Sequence, residues 1–382
     1  MKKNRKALIG LFLFGFLVFS LFLYCGKRHL TQSSDEPPTG DDSSETGFFH
    51  NIANQRYETD HFRIHYPTPD DSTLARGMAR YVEDVYVYVD SIYAGNAPDT
   101  KTDVFLTADN TNYYNYESYG PDGIYLYIEN RTNMKQIFAH EFGHATYFHV
   151  SGGSSYDQFE FLNEGASVII ELQYEMELGQ PEPWNLRAFW AAHREIIHKD
   201  SLSDWNSKRY DLEYIFNAVG FTFYTYFREQ FGVEVWIDLI RALPYSNHLL
   251  AAFTRIGLDY DVFFDDWHVD LLSGFQANAS QLTQVPVITD SLIIEPHDNL
   301  RDVKVKITVE NGESSQYNVL FSYYINNSHR EPSYQAQGNH YETITTIGRD
   351  LPVGTQIRYD VVVWSDVLLT WIKLGWKRFT LE

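Results

Sequence analysis

A single cysteine, Cys25, stands in a chain of 382 residues. No intrachain disulfide can form, and a metal site built from several thiolates is excluded. Positive charge is scarce: 30 Lys and Arg face 51 Asp and Glu, a formal net charge of −21. No nucleic-acid partner is expected, because neutralising phosphates needs a basic face. No internal repeat is visible. Apolar and aromatic residues, by contrast, make up 44% and 16% of the chain, which supplies a real core and rules out disorder of the whole. At roughly 100–200 residues per domain, the length suggests two or three domains.

The N-terminus reads as an export signal. MKKNRK (1–6) carries four positive charges and no acid, and ALIGLFLFGFLVFSLFLY (7–24) has none of either sign. A basic segment followed by an apolar run is a secretory signal, and this run approaches the length of a bilayer span. Cys25 follows directly, so residues 1–25 resemble a bacterial lipoprotein signal, although Tyr24 stands where that pattern prefers a small residue. Lipidation at Cys25, an uncleaved anchor and free secretion all remain open. Each places the folded part outside the cytoplasm, with membrane contact through the N-terminus alone. Residues 26–46 are polar and rich in Ser, Asp, Pro and Gly, and are expected to be a disordered tether.

Three textures follow. HFRIHYP (61–67), TDVFLT (102–107) and GIYLYIEN (123–130) read as strands, and residues 73–93 carry Leu74, Met78, Tyr81, Val82, Val85 and Val89 at helical spacing. From Thr132 to about Phe275 apolar residues recur at three and four, broken by SGG, GQPEP and LPYSN. From about Val285 short alternating segments joined by turn residues predict an all-β sandwich of immunoglobulin or fibronectin type III character. No chemistry is visible in that last part.

The chemistry sits in HEFGH (140–144), an H-E-x-x-H motif inside the helical stretch NMKQIFAHEFGHATYFH. On a helix His140 and His144 lie one turn apart and face the same way, so both imidazoles reach one ion. Glu141 projects beside them, placed to take a proton from an activated water. Zn2+ suits imidazole and carboxylate ligands, and catalytic zinc uses three protein ligands plus water.

FLNEGASVIIE (161–171) begins another predicted helix, and nineteen residues, 145–163, separate His144 from Glu164. HEFGH followed by NEG resembles the gluzincin metallopeptidases, the group that includes thermolysin and the M1 aminopeptidases. The N-E-G form is similar to M1 and to the wider peptidase-MA-like families, and the spacer is similar to that of thermolysin. The resemblance spans about residues 57–275. It implies Glu164 as third zinc ligand and Glu141 as general base in peptide-bond hydrolysis. M1-like proteins also carry a glutamate at the place of Glu171, which is either an orienting partner of a ligand histidine or a solvated helix residue. GIYLYIEN fits the edge strand that holds substrate backbone in these enzymes. Its IEN end is not read as a free-amine motif, because only nine residues, 131–139, separate it from His140. NAVGFTFYTYFREQFG (217–232) is similar to the M1 segment whose tyrosine stabilises the oxyanion, but Asn217 occupies the tyrosine's place. Asn217 itself, Tyr214 one turn earlier and Tyr210 are the candidate donors. His193 and His198, five apart on a predicted helix, point apart, and His149 lies off the metal face.

The expected architecture is α+β. A thermolysin-like zincin spans 47–281, with an α/β N-terminal lobe and a helical C-terminal lobe, and a β-sandwich spans 282–382. The expected activity is that of an exported zinc metallopeptidase, monomeric, acting on a peptide or glycoprotein. The alternative is an inactive surface protein that binds peptides or glycoproteins on a peptidase scaffold.

Overall fold

A computed structural model describes residues 55–107, 118–120, 123–127, 134–152, 159–174, 182–204, 213–311, 316–326, 328–374 and 376–382. The expected signal segment with Cys25, the expected tether, the IEN tripeptide and Tyr210 lie outside the described residues. In chain order the structure has β1 (Gln55–Glu58), β2 (Phe62–Tyr66), α1 (Ser72–Ile92), β3 (Thr102–Thr107), β4 (Ser118–Gly120) and β5 (Gly123–Tyr127). Then come α2 (Met134–Val150), α3 (Glu160–Leu172), α4 (Glu182–His193), α5 (Glu213–Phe231), α6 (Val233–Ala242), α7 (Leu249–Arg255), α8 (Tyr260–Ala277) and α9 (Ala279–Leu282). Nine strands close the chain: β6 (Val287–His297), β7 (Leu300–Glu310), β8 (Gln316–Ile325), β9 (Ser328–Arg330), β10 (Ser333–Gln337), β11 (His340–Pro352), β12 (Gln356–Ser365), β13 (Thr370–Lys373) and β14 (Lys377–Thr380). Among the described residues no helix is long and apolar enough to cross a membrane. The protein is a mixed helix-and-sheet structure, as the α+β expectation has it.

The chain forms two compact units, each built from two stretches of sequence. The first holds residues 55–174 and Phe223–Tyr260, and the second holds 182–222 and Asp261–Glu382. Helix α5 contributes to both, changing unit after Thr222.

The first unit is organised by a five-stranded sheet of order β1-β2-β3-β5-β4. Strands β2, β3 and β5 are parallel, and β1 and β4 add antiparallel on either side. Alternation sets the two faces. Phe62 and Ile64, Val104 and Leu106, and Ile124 and Leu126 form one buried face. Helix α1 covers apolar surface with Ala75, Met78, Val82, Val85, Val89 and Ile92, the three-and-four spacing of a single helical stripe. Phe62 meets α2 edge-on, through Phe138 at 5.3 Å and Phe142 at 5.0 Å. On the other face His65, Phe105 and Tyr125 stack in a row at 4.7 and 5.1 Å. Gly123 is fixed by a close approach: at φ +144° a Cβ there would lie 2.2 Å from the Asp103 carbonyl oxygen.

Strand β5 corrects the sequence reading. GIYLY is not an edge, because β3 pairs on one side of it and β4 on the other. The physical reason is the segment just upstream, whose Ser118, Tyr119 and Gly120 pair antiparallel with Tyr125, Ile124 and Gly123 and so occupy the edge that β3 leaves open. Among the described residues β4 is the outer strand on that side.

The second unit gathers helices with the C-terminal strands. A Cβ on Gly274 of α8 would lie 2.4 Å from the Phe189 ring of α4, so the glycine permits the two helices to approach. His193 stacks on Phe275 at 3.7 Å. The strands form two antiparallel sheets, one of order β10-β8-β12-β13 with β14 and β9 added, the other β11-β7-β6. Alternate residues of both enter one core: Val303, Val305, Ile307 and Val309 from β7, Val319 and Phe321 from β8, and Ile357, Tyr359, Val361 and Val363 from β12. Buried Arg187 of α4 donates from Nε to the Leu368 carbonyl at 2.8 Å and from Nη2 to the Leu369 carbonyl at 2.7 Å. That pair of bonds ties α4 to the β12–β13 connection.

Candidate metal centre

Helix α2 sets the geometry. His140 and His144 stand one turn apart, with their rings at 83° and their Nε2 atoms 3.0 Å from each other. Helix α3 brings Glu164 to them: Oε2 is 3.5 Å from His140 Nε2, and Oε1 is 3.5 Å from His144 Nε2. The three residues offer ligand atoms that all lie within 4.8 Å of one another.

The helices can meet this closely because the motif's fourth residue has no side chain. A Cβ on Gly143 would lie 2.8 Å from Ser167 Oγ and 2.9 Å from Ile170 Cδ1, both on α3. Tyr93, fully buried after α1, donates its hydroxyl to the Gly143 carbonyl at 3.4 Å.

Both imidazoles are held from behind. His140 Nδ1 donates to Glu171 Oε2 at 2.8 Å, and Gln136 Nε2 donates to Glu171 Oε1 at 2.6 Å. His144 Nδ1 donates to Asn163 Oδ1 at 2.9 Å, with Ser167 Oγ 3.1 Å away. With Nδ1 protonated in each ring, the Nε2 lone pairs are left to converge, which is the tautomer a metal-ligating histidine needs. Burial works against charging His140, but the hydrogen bonds and charges of Glu164 and Glu171 outweigh it and hold its pKa well above the ordinary histidine value. A metal ion entering here must displace that proton.

The residues fit a tetrahedral ion with nitrogen and oxygen ligands. Zinc–ligand bonds near 2.0–2.1 Å span ligand separations of about 3.3 Å; the two Nε2 atoms are 3.0 Å apart, and each lies 3.5 Å from a different Glu164 oxygen. The buried Glu141 carboxyl adds an independent sign: its Oε2 has no hydrogen-bond partner among the described residues. A buried carboxylate oxygen is costly to leave unpaired, so its presence on the same helix marks a place for a polar ligand or water.

The structure thus brings together His140, His144 and Glu164, and it gives Glu171 the orienting place rather than a solvated one. The Glu164 and Glu171 side chains are 20% and 22% exposed. Asn217 and Tyr214 lie on α5, Asn217 in the stretch that belongs to the second unit. His149 is exposed in the last turn of α2. His193 ends α4 and His198 lies beyond it, so the expectation of one helix carrying both is corrected: the helix stops at His193. Neither belongs to a metal-capable group among the described residues. Sequence reasoning missed Gln136, Asn163 and Ser167. Asn163 stood in plain view within N-E-G, and Gln136 precedes His140 by one turn.

No family model matches the chain. No curated protein matches it either. Among solved structures it is similar to the aminopeptidase A of Legionella pneumophila in complex with aspartic acid, at 12% identity and a TM-score of 0.35, over 79% of this chain and 36% of that one. The chain spans little more than a third of that structure's length. A likeness at that level carries no functional argument.

Proposed function

We propose that the protein is a zinc-dependent peptidase of gluzincin type. The observation that carries this is the convergence of His140, His144 and Glu164, with a buried Glu141 carboxyl oxygen on the same helix that has no hydrogen-bond partner among the described residues. Zinc held by these three residues would supply a Lewis acid that polarises a peptide carbonyl and lowers the pKa of a water. Glu141 accepts a proton from the attacking water, holds it at a carboxyl oxygen, and delivers it to the departing amine. Glu171 and Asn163 keep the two imidazoles in the ligating tautomer.

The same reading takes the protein as exported and held at the cell envelope through its N-terminus, with a peptide or glycoprotein as substrate. It takes the strand-and-helix part as a thermolysin-like zincin and the two C-terminal sheets as an immunoglobulin- or fibronectin-like accessory domain. The test is digestion of a mixed peptide library by the full chain, with and without a chelator. Cleavage that the chelator abolishes and zinc restores supports the proposal; cleavage that persists under chelation overturns it.

Asn217 in the tyrosine's place favours a second reading, a scaffold that binds peptides without cleaving them. Full zinc occupancy with no turnover across the library supports that reading, and chelator-sensitive turnover removes it.

A further inference from the structure

Among the described residues one other group has metal-ligand geometry: His297, Asp302 and Asp350, with ligand atoms all within 4.8 Å of one another. His297 and Asp302 lie five positions apart on consecutive strands, and Asp350 comes from a distant third strand. His297 ends β6, Asp302 lies near the start of β7, and Asp350 belongs to β11. His297 Nε2 is 3.0 Å from Asp350 Oδ1 and 3.5 Å from Asp302 Oδ1. Asp350 sits in an irregular stretch of β11, where the register against β7 shifts between Gly348 and Leu351. Such a bulge re-aims side chains. Here it turns the Asp350 carboxylate onto His297 and its backbone N–H onto Asp302 Oδ1 at 2.9 Å.

Charge balance gives the arrangement a direction. Two carboxylates are crowded onto one imidazole, and among the described residues neither forms an ion pair with Lys or Arg that would offset its charge. A divalent cation does, and one nitrogen with two carboxylate oxygens suits zinc, with water completing the tetrahedron. The 3.0 and 3.5 Å separations are those found at the His140 group, and they bracket the roughly 3.3 Å expected between ligands of a tetrahedral ion.

We infer that His297, Asp302 and Asp350 form a second divalent-cation site, which clamps the β6–β7 hairpin to the bulge of β11. The inference does not rest on the peptidase reading. With side chains 45%, 24% and 70% exposed, the site is wetter than the His140 group and binds zinc more weakly.

The test is zinc stoichiometry on the full chain at pH 7.5, by equilibrium dialysis followed by metal analysis. Wild type is expected to bind two zinc ions per chain in two phases. His297→Ala and Asp350→Asn, both at exposed positions, each lose the weaker ion or weaken it at least tenfold. His140→Ala loses the tighter ion and keeps the weaker one. One ion in wild type that only His140→Ala removes overturns the inference, as does a His297→Ala protein that still binds two. One ion that only His297→Ala removes upholds the second site and sinks the metal centre proposed above. Circular dichroism of each variant confirms that the fold is retained, and Asp302→Asn replaces any variant that fails this check.

Discussion

The Glu171 carboxylate bridges two residues one turn apart on α2, accepting from His140 Nδ1 at 2.8 Å and from Gln136 Nε2 at 2.6 Å. The bridge fixes the orientation and tautomer of an imidazole that the proposed metal site uses as a ligand. Removing such a partner typically costs 10–100-fold in metal affinity. Glu171→Ala is expected to weaken zinc binding by about that factor, measured by competition with a chelator of known affinity. Gln136→Ala should follow in the same direction with a smaller loss. Unchanged affinity in Glu171→Ala would show the contact to be incidental.

Gly143 makes a second prediction, about packing. Its absent side chain lets α2 approach α3 to the point where an added Cβ would meet Ser167 Oγ at 2.8 Å and Ile170 Cδ1 at 2.9 Å. Overpacking of a tight interface costs typically about 1–3 kcal/mol. Gly143→Ala should lose that much stability in urea unfolding, and zinc affinity should fall with it, because Glu164 is displaced from the two histidines. A variant that loses stability but keeps wild-type affinity would mean that the strain relaxes away from the site.

Much of the site was legible and some was not. Helix α1 follows from its apolar stripe and the His140–His144 pair from its spacing, because local spacing decides which side chains share a helix face, whereas Glu164 enters only through the resemblance of N-E-G to the gluzincins. The edge reading of GIYLY rests on the resemblance alone, and an apolar run of five residues does not say on how many sides a strand is paired. Ser167 and Gln136 escaped notice because their roles depend on how α2 meets α3. The His297 group was invisible for a stronger reason: His297 and Asp350 are 53 positions apart and meet only through sheet pairing and a bulge.

Arg187 carries a third prediction. Its guanidinium reaches the carbonyls of Leu368 and Leu369 at 2.8 and 2.7 Å, and it lies over the Trp184 ring at 4.5 Å. Arg187→Ala leaves those carbonyls without their donor, at about 1–3 kcal/mol for an unsatisfied buried group. Arg187→Lys should recover little, since a single ammonium cannot reproduce the two-point fork. Thermal unfolding of the three proteins measures both effects, and a lysine variant as stable as wild type would contradict the two-point account.

Asp103 supplies a pH dependence. Burial alone would raise its pKa, but hydrogen bonds and charge from His65 and Arg63 prevail and hold it below the usual carboxylate range. A lowered folded-state pKa contributes stability above the unfolded value, near pH 4, and loses it as pH falls through the folded value. Wild type should therefore be more stable than Asp103→Asn at pH 7, and the gap should close below about pH 4. Denaturant midpoints of both proteins from pH 7 to pH 2.5 check this; a gap that stays constant across the range would rule out titration of Asp103 as its source.

The central claim is that Glu141 moves the proton in a zinc-dependent cleavage. Its most direct measurement is turnover of one peptide, identified from the library digest, by wild type and Glu141→Gln at matched zinc occupancy. A general base contributes typically about 10²–10⁴-fold, so the glutamine variant should bind zinc as wild type does and lose at least 100-fold in kcat. Equal zinc content with equal kcat would contradict the account.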